Sequence, residues 1–169
     1  FPSKVLAGVG VFFYVLIALR AELKKRCWFL KHGIDPPKLA KFLDLVALGT
    51  IADVVPLDRN NRILVAAGLA RIRSGQSQPG VKALFQVAGR PARRATASDL
   101  GFFIGPRLNA AGRLDDISLG VNCLLAETFD EALPLAQKLH ELNQERKDLE
   151  KSMQHEAVKQ LEKLDFDDK

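Results

Sequence analysis

The spacing of apolar residues along the chain predicts a mainly helical protein. Apolar positions recur at i, i+3, i+4 and i+7, as in Leu39, Phe42, Leu43 and Val46, and this period is typical of helices with one buried face. Helices are predicted over residues 8–31, from 35 to at least 47, and over 60–73 and 79–87. Only residues 51–57 resemble a strand, and Pro56 limits that segment. Gly33 is expected to cap the first helix at its C-terminus.

Two capping boxes mark further helix starts. Thr96 precedes Asp99, and Thr128 precedes Glu131, so each hydroxyl can accept from a backbone N–H while the carboxylate reaches back. The second box opens a helix predicted over residues 130–164, with a leucine stripe that Arg146 interrupts. This helix is polar over most of its surface, which favours a strut between two domains over a core element. A coiled-coil arm is the alternative.

The apolar segment at residues 5–19 is too short to span a bilayer, which needs roughly 20 residues, so we expect a buried helix and no membrane. No signal peptide is recognisable. Cys27 and Cys123 are isolated, which argues against a disulfide framework or a zinc site and fits the cytoplasm. The chain lacks an initiator Met and ends without a closing element, so we expect an internal piece of a longer protein.

Charge is distributed unevenly along the chain, and this indicates a possible binding surface. Residues 59–113 contain 10 basic side chains, nine of them Arg, and one acidic side chain, whereas residues 114–169 carry a net charge of −7. A strongly basic segment is typical of a polyanion-binding surface, and Arg suits bidentate phosphate contacts. The alternative is an ordinary solvated surface.

Asp53 is the first candidate for chemistry because it is a lone carboxylate in an apolar stretch. A buried carboxylate needs a partner, which could be a metal ion, an Arg or a helix N-terminus. Hard divalent cations such as Mg²⁺ and Mn²⁺ prefer carboxylate oxygens. No other tight acidic cluster is evident to complete such a site.

The segment 101–116 is the second candidate. Its three glycines would let a ligand approach the backbone, and Arg107, Asn109 and Arg113 supply donors suited to phosphate recognition or charge stabilisation. The alternative is a helix bend loosened by glycine, with Arg ion pairs to Asp115 and Asp116.

Three further arginines lie close together in a predicted loop, which could clamp a nucleic-acid backbone or could simply be solvated: Arg90, Arg93 and Arg94. Aromatic residues in the first helix could stack on bases, but core packing is the commoner use. The three histidines are isolated in the sequence, and no nucleophilic triad or phosphate-binding loop is visible.

Several longer segments resemble the RecJ exonucleases, single-strand-specific nucleases of the DHH phosphoesterase superfamily. They are FPSK with LAGVGV at residues 1–11, DLVALGTIADVVPL at 44–57, NRIL at 61–64, DLGF at 99–102, GPRLNAAGRLDD at 105–116, and LNQERK at 142–147. The resemblance covers nearly the whole chain. Its two longest motifs are too specific to arise by chance.

The resemblance implies hydrolysis of single-stranded DNA from the 5′ end to mononucleotides, with Mn²⁺ or Mg²⁺ as cofactor. Asp53 matches a metal-binding Asp, and Arg107 matches an Arg expected near the scissile phosphate. The roles of Asn109 and Arg113, in the same motif, are less defined. The other metal motifs are expected before residue 1, so no metal is expected on this fragment, which should be inactive alone.

The fold implied by the resemblance is mainly α in this fragment: residues 1–128 form the C-terminal part of an α/β DHH-type domain, and 129–169 form a long connecting helix. A second, smaller domain would follow. The expected partner is single-stranded DNA, and self-association through exposed core surface is also expected. Two alternatives stay open: a noncatalytic DNA-binding module, or a related phosphodiesterase acting on nucleotides or short oligonucleotides.

Overall fold

The computed structural model describes residues 3–114 and 117–162, and within these ranges the chain forms helices joined by turns and loops, without strands. The prediction of a mainly α chain is confirmed. The α-helices are α1 (Gly8–Lys25), α2 (Trp28–Lys31), α3 (Leu43–Ala52), α4 (Arg59–Arg73), α5 (Pro79–Val87), α6 (Ala97–Asp99), α7 (Gly105–Leu114), α8 (Ser118–Leu125) and α9 (Phe129–Glu162). Short 3₁₀ helices span Leu39–Phe42 and Ala92–Arg94.

The first predicted helix is divided in two, so its prediction as one element was wrong. Cys27 adopts a left-handed conformation with φ 53°, which ends α1 and starts α2 in a new direction. Gly33, with φ 62°, follows α2, as the capping prediction required. The Ile34 N–H donates to the Phe29 carbonyl at 3.0 Å across this turn.

The second helix begins later than predicted, whereas its end at Ala52 agrees with the prediction of a helix to at least residue 47. Regular structure starts at Leu39 rather than near residue 35, and the Pro37 carbonyl accepts a hydrogen bond from Arg20 at 2.9 Å instead of joining a helix. Ile51 and Ala52 form the last turn of α3, so the strand suggested for residues 51–57 is absent. Val54, with φ 54°, then turns the chain away.

The main core lies between α3, α4, α5, α7 and α9. Helices α4 and α5 match their predicted ranges within a residue. Asp44 is fully buried in this core and accepts from the Gln78 N–H at 2.6 Å and the Leu45 N–H at 3.0 Å. Burial raises the pKa of the Asp44 carboxyl, although these hydrogen bonds and Arg71 oppose the shift. Asp44 thereby links α3 to the start of α5.

Both predicted capping boxes are present. Thr96 Oγ1 accepts from the Asp99 N–H at 3.2 Å, and Asp99 accepts from the Thr96 N–H at 2.8 Å. Glu131 and Thr128 make the corresponding pair at the start of α9. From the first box, α6 continues through a π-helical turn (Leu100–Ile104) into α7 without a break. Residues 97–114 therefore form one helical rod with a widened turn in its middle.

The long helix α9 has two different halves. Its first half packs against α5, α7 and α8 through buried residues: Ala132, Ala136, Leu139, Leu142 and Asn143. Residues 147–161 are exposed, including Leu149 and Met153 of the predicted stripe. The prediction of a strut rather than a core element was thus wrong for the first half of the helix.

Helix α1 is less buried than its sequence predicts. It packs on α3 through Phe13, but Phe12 is 62% exposed, and Val11, Val15 and Leu19 are also exposed. The expected buried helix is therefore buried on one face only and has an apolar outer face. Among the described residues, no helix is long and apolar enough to cross a membrane.

Candidate functional site

Asp53 lies at the C-terminal end of α3 and is exposed. The prediction of a buried carboxylate in need of a partner was wrong, because the apolar residues that precede Asp53 belong to α3 and Val54, which follows it, is 86% exposed. A β-branched residue such as Val54 rarely adopts a positive φ, and such strain is common at functional sites. The turn presents the Asp53 carboxylate to the surface.

The loop that follows Asp53 is fastened by Asn61, which is fully buried. Asn61 Nδ2 donates to the Pro56 carbonyl at 2.8 Å and to the Val5 carbonyl at 2.9 Å. Asp58 caps α4 by accepting from the Asn61 N–H at 2.8 Å, and this bond lowers the pKa of the Asp58 carboxyl. Asn61 belongs to the NRIL motif of the sequence, but no positioning role was predicted for it. The fastened loop holds the exposed turn at Asp53 in place.

The glycines of the 101–116 motif serve helix packing. A Cβ on Gly101 would lie 3.2 Å from the Ile51 side chain, and a Cβ on Gly105 would lie 3.4 Å from Ala52 Cβ. The expectation that these glycines open the backbone to a ligand is therefore corrected for Gly101 and Gly105, which face protein. Their small size lets the rod of residues 97–114 cross directly over the end of α3, beside Asp53.

Arg107 projects from this rod into the protein and is only 5% exposed. Its Nη1 donates to the Phe103 carbonyl at 2.6 Å, one turn earlier. Its Nε and Nη2 lie 3.1 and 2.9 Å from Nδ1 of His140 on α9. Burial lowers the pKa of Arg107, yet a guanidinium remains protonated at physiological pH. The charged group is thus held in one orientation by two helices.

His140 was not predicted as a site residue, because the three histidines are isolated from one another in the sequence. It follows Leu139 and lies one turn after Ala136 and one turn before Asn143, both on the buried face of α9. This spacing from buried residues was the sequence signal that could have predicted His140 to face the core. His32 is also not isolated, since its ring stacks on Trp28 with centroids 4.2 Å apart. His155 is exposed on the outer half of α9.

Asn109 and Arg113 are the other predicted hydrogen-bond donors of the 101–116 motif. Asn109 is exposed on α7, two residues after Arg107. Arg113 lies in the last turn of α7, but its side chain is outside the described part of the structure, and so are Asp115 and Asp116. The suggested ion pairs between Arg113 and these aspartates therefore stay a prediction.

The three clustered arginines do not act as one group. Arg90 Nε donates to Asp99 at 2.7 Å, and its guanidinium lies 4.4 Å from the Phe103 ring centroid. Burial opposes ionisation of Asp99, but hydrogen bonds from Thr96 and the Arg90 charge outweigh it and lower the pKa of the carboxyl. Arg93 and Arg94 are exposed on the Ala92–Arg94 3₁₀ helix. Arg90 therefore stabilises the rod, whereas the other two face solvent.

A metal ion could be held by the Asp53 carboxylate, whose oxygens suit Mg²⁺ or Mn²⁺. Within residues 3–114 and 117–162, no group of three or more His, Cys, Asp or Glu side chains is placed to hold a metal ion. Asp53 is thus one donor and would need further ligands. A carboxylate oxygen is the kind of ligand that a hard divalent cation prefers, but one carboxylate does not complete the coordination shell of such a cation.

The chain is similar to part of several longer proteins. It is 58% identical over 165 residues to the single-stranded-DNA-specific exonuclease RecJ of Salmonella typhimurium, covering 98% of this chain and 29% of the relative. The RecJ of Escherichia coli is 59% identical over the same shares, and that of Bacillus subtilis is 38% identical over 99% of this chain and 19% of its own length. The chain thus spans less than a third of the length of these relatives. No family model matches it.

Solved structures give the same picture. A crystal structure of exonuclease RecJ bound to manganese is similar with a TM-score of 0.66 and 39% identity, covering 78% of this chain and 33% of that one. A structure of RecJ in complex with Mg²⁺ from Thermus thermophilus matches with a TM-score of 0.64 and 39% identity, over 76% of this chain and 20% of the other.

Proposed function

Because the chain belongs to the RecJ family over nearly its whole length, we propose that it forms part of a metal-dependent exonuclease. The complete protein would hydrolyse single-stranded DNA in the 5′ to 3′ direction and release mononucleotides in DNA repair and recombination. In this proposal, residues 1–128 are the C-terminal part of the catalytic domain, and 129–169 connect it to a further domain.

The crossing of the 97–114 rod over the end of α3 carries this proposal. The close packing at Gly105 and Ala52 brings the segment with Arg107 and Asn109 beside the turn that exposes Asp53. A carboxylate for a cation and a fixed guanidinium for developing negative charge are the components that phosphodiester hydrolysis requires. Two segments that are distant in sequence are therefore adjacent at this crossing.

Asp53 would contribute one carboxylate to a bound Mn²⁺ or Mg²⁺, which when bound supplies activation of the attacking water and charge neutralisation. Arg107 would stabilise charge on the scissile phosphate. Its hydrogen bonds to His140 and Phe103 occupy three of the five guanidinium N–H groups, so the other N–H groups would donate to the phosphate. Binding of the DNA backbone would fall to Asn109 and Arg113, with Arg93, Arg94 and the part of Arg90 not held by Asp99.

The chain alone would neither hold a metal tightly nor hydrolyse DNA, since Asp53 is a single carboxylate and Mg²⁺ binding usually takes several ligands. The exposed apolar face of α1, including Phe12 and Val15, supports self-association of the isolated chain. The cytoplasm is the proposed location, because an enzyme of this family acts on DNA.

The test replaces Asp53 by Ala in the complete protein and measures Mn²⁺-dependent cleavage of 5′-labelled single-stranded DNA. Loss of a direct ligand should reduce activity by at least about 100-fold, since even residues that only orient metal ligands contribute about 10- to 100-fold. Asp148→Ala, an exposed acidic position on α9, is the matched control and should retain full activity.

Unchanged activity of Asp53→Ala, with retained fold, would exclude the metal role and favour a noncatalytic DNA-binding module. Substrate length separates the third class. A nuclease with an extended DNA channel should cleave long strands efficiently, whereas a phosphodiesterase for nucleotides or short oligonucleotides should prefer the shortest substrates.

A further inference from the structure

The contact between Arg107 and His140 joins two helices whose sequence positions differ by 33 residues. Arg107 lies in the motif helix α7, and His140 lies on the inner half of α9. The His140 Nδ1 accepts from both Nε and Nη2 of the guanidinium, at 3.1 and 2.9 Å. This arrangement holds the plane of the guanidinium along one edge, while the Phe103 carbonyl holds Nη1 at 2.6 Å.

The direction of these hydrogen bonds fixes the protonation state of His140. A guanidinium has donors and no acceptor, so Nδ1 must be unprotonated and the ring must be neutral, with its proton on Nε2. Protonation at Nδ1 would remove both bonds. It would also place a second positive charge within hydrogen-bond distance of a guanidinium that is almost fully buried.

The surroundings of His140 favour the neutral ring. Burial, Arg107 from α7 and Lys147 from α9 lower the pKa of His140 below its ordinary value of 6.5, and Glu141 on α9 opposes them. No charged side chain from the described parts of α5 or α8, which also pack against α9, adds to these effects. The two bonds to Arg107 are therefore intact above about pH 6.5 and are lost as the pH falls through the lowered pKa.

We propose that His140 is a positioning residue for the reaction: its neutral ring fixes the Arg107 guanidinium for contact with the scissile phosphate, and protonation of the ring releases it. This inference rests on the proposed role of Arg107 in hydrolysis. It adds that the orientation of Arg107 depends on α9 and that activity is sensitive to the charge of one histidine. A merely structural His140 would affect stability but not the pH dependence of turnover.

The test measures kcat and KM of the complete protein on 5′-labelled single-stranded DNA with saturating Mn²⁺, as a function of pH. His140→Asn keeps an acceptor oxygen near the position of Nδ1 and cannot be protonated, whereas His140→Leu removes the acceptor and keeps an apolar side chain. His155→Asn, at an exposed position on the same helix, is the matched control.

We expect the kcat of the wild type to fall as the pH is lowered through the pKa of His140. The kcat of His140→Asn should not fall in this pH range, and His155→Asn should behave as the wild type. In His140→Leu, kcat at neutral pH should fall by about 10- to 100-fold with little change in KM, because a displaced catalytic group costs on that order. The inference is wrong if His140→Asn shows the same acid limb as the wild type, or if folded His140→Leu retains full kcat.

Arg107→Ala separates failure of this inference from failure of the proposed function. If Arg107→Ala loses activity while both His140 variants keep wild-type kcat and pH dependence, Arg107 acts without His140 and only the inference is overturned. If Arg107→Ala is fully active, the proposed role of Arg107 is overturned, and the role of His140 with it. Circular dichroism of each variant checks that the fold is retained, and His140→Asn keeps the test decisive should His140→Leu not fold.

Discussion

The close approach of α3 and α4 at Gly68 predicts a large effect from a single added methyl group. A Cβ at this position would lie 2.2 Å from the Leu43 carbonyl oxygen and 2.4 Å from Ala47 Cβ. Neither atom can move by side-chain rotation, because one belongs to the α3 backbone and the other is attached to it. Carbon atoms in contact are normally about 3.5–4.0 Å apart, so Gly68→Ala must push the two helices apart by about 1 Å.

The magnitude follows from two opposing effects. Overpacking a tight core costs about 1–3 kcal/mol, and the upper end applies here because the obstacle is helix backbone. Alanine is a better helix former than glycine, which offsets about 1 kcal/mol. The net loss of about 2 kcal/mol should lower the melting temperature by about 4–8 °C for a chain of this size.

Thermal unfolding followed by far-ultraviolet circular dichroism measures this loss. Gly8→Ala is the matched control, because a Cβ on Gly8 meets nothing within 4 Å and its residue lies at the start of α1. That variant should melt at or slightly above the wild-type temperature. The reasoning about helix approach would be refuted if Gly68→Ala melted as high as Gly8→Ala.

Two further predictions concern ionisable groups. Asp99→Asn removes the capping carboxylate and its bond to Arg90, and should cost about 1–2 kcal/mol at neutral pH. Because folding lowers the pKa of Asp99, this stabilisation is complete above pH 3.8, the ordinary pKa of the group, and disappears as the pH falls through the lowered pKa. The melting temperatures of the wild type and Asp99→Asn should therefore converge in acid. A difference in melting temperature that stays constant with pH would contradict this. Cys27 is exposed and Cys123 is buried with a thiol pKa raised to about 11, so iodoacetamide should label Cys27 in the native protein and Cys123 only after unfolding. Comparable native labelling at both sites would be inconsistent with the core position of Cys123.

Elements defined by local chemistry were predictable from the sequence. Residues at helical spacing located α4, Pro79 located the start of α5, and the capping boxes at Thr96 and Thr128 located the starts of α6 and α9. In each case, the determining interactions lie within a few residues of one another. The break at Cys27 had no such marker, because neither glycine nor proline lies at this position and cysteine rarely adopts the left-handed conformation found there.

The candidate site was predictable in its members but not in its geometry. Asp53 was expected to be buried because apolar residues surround it in sequence, yet α3 buries its own apolar residues and ends before Asp53 is covered. The glycines of the 101–116 motif indicated close approach, but sequence does not say whether a ligand or a helix approaches. Only the packing of the rod on α3 answers that question.

The two halves of α9 differ: the first half belongs to the core, and the connecting role expected for the helix concerns the second half. Small residues on the inner face, Ala132 and Ala136, let α9 pack closely on α5 and α8, and this close packing brings His140 to Arg107. Past Asn143 the helix leaves the core, and Arg146 pairs along the helix with Glu150. The geometry of Arg107 therefore depends on the buried half of α9 and not on the exposed residues that follow Arg146.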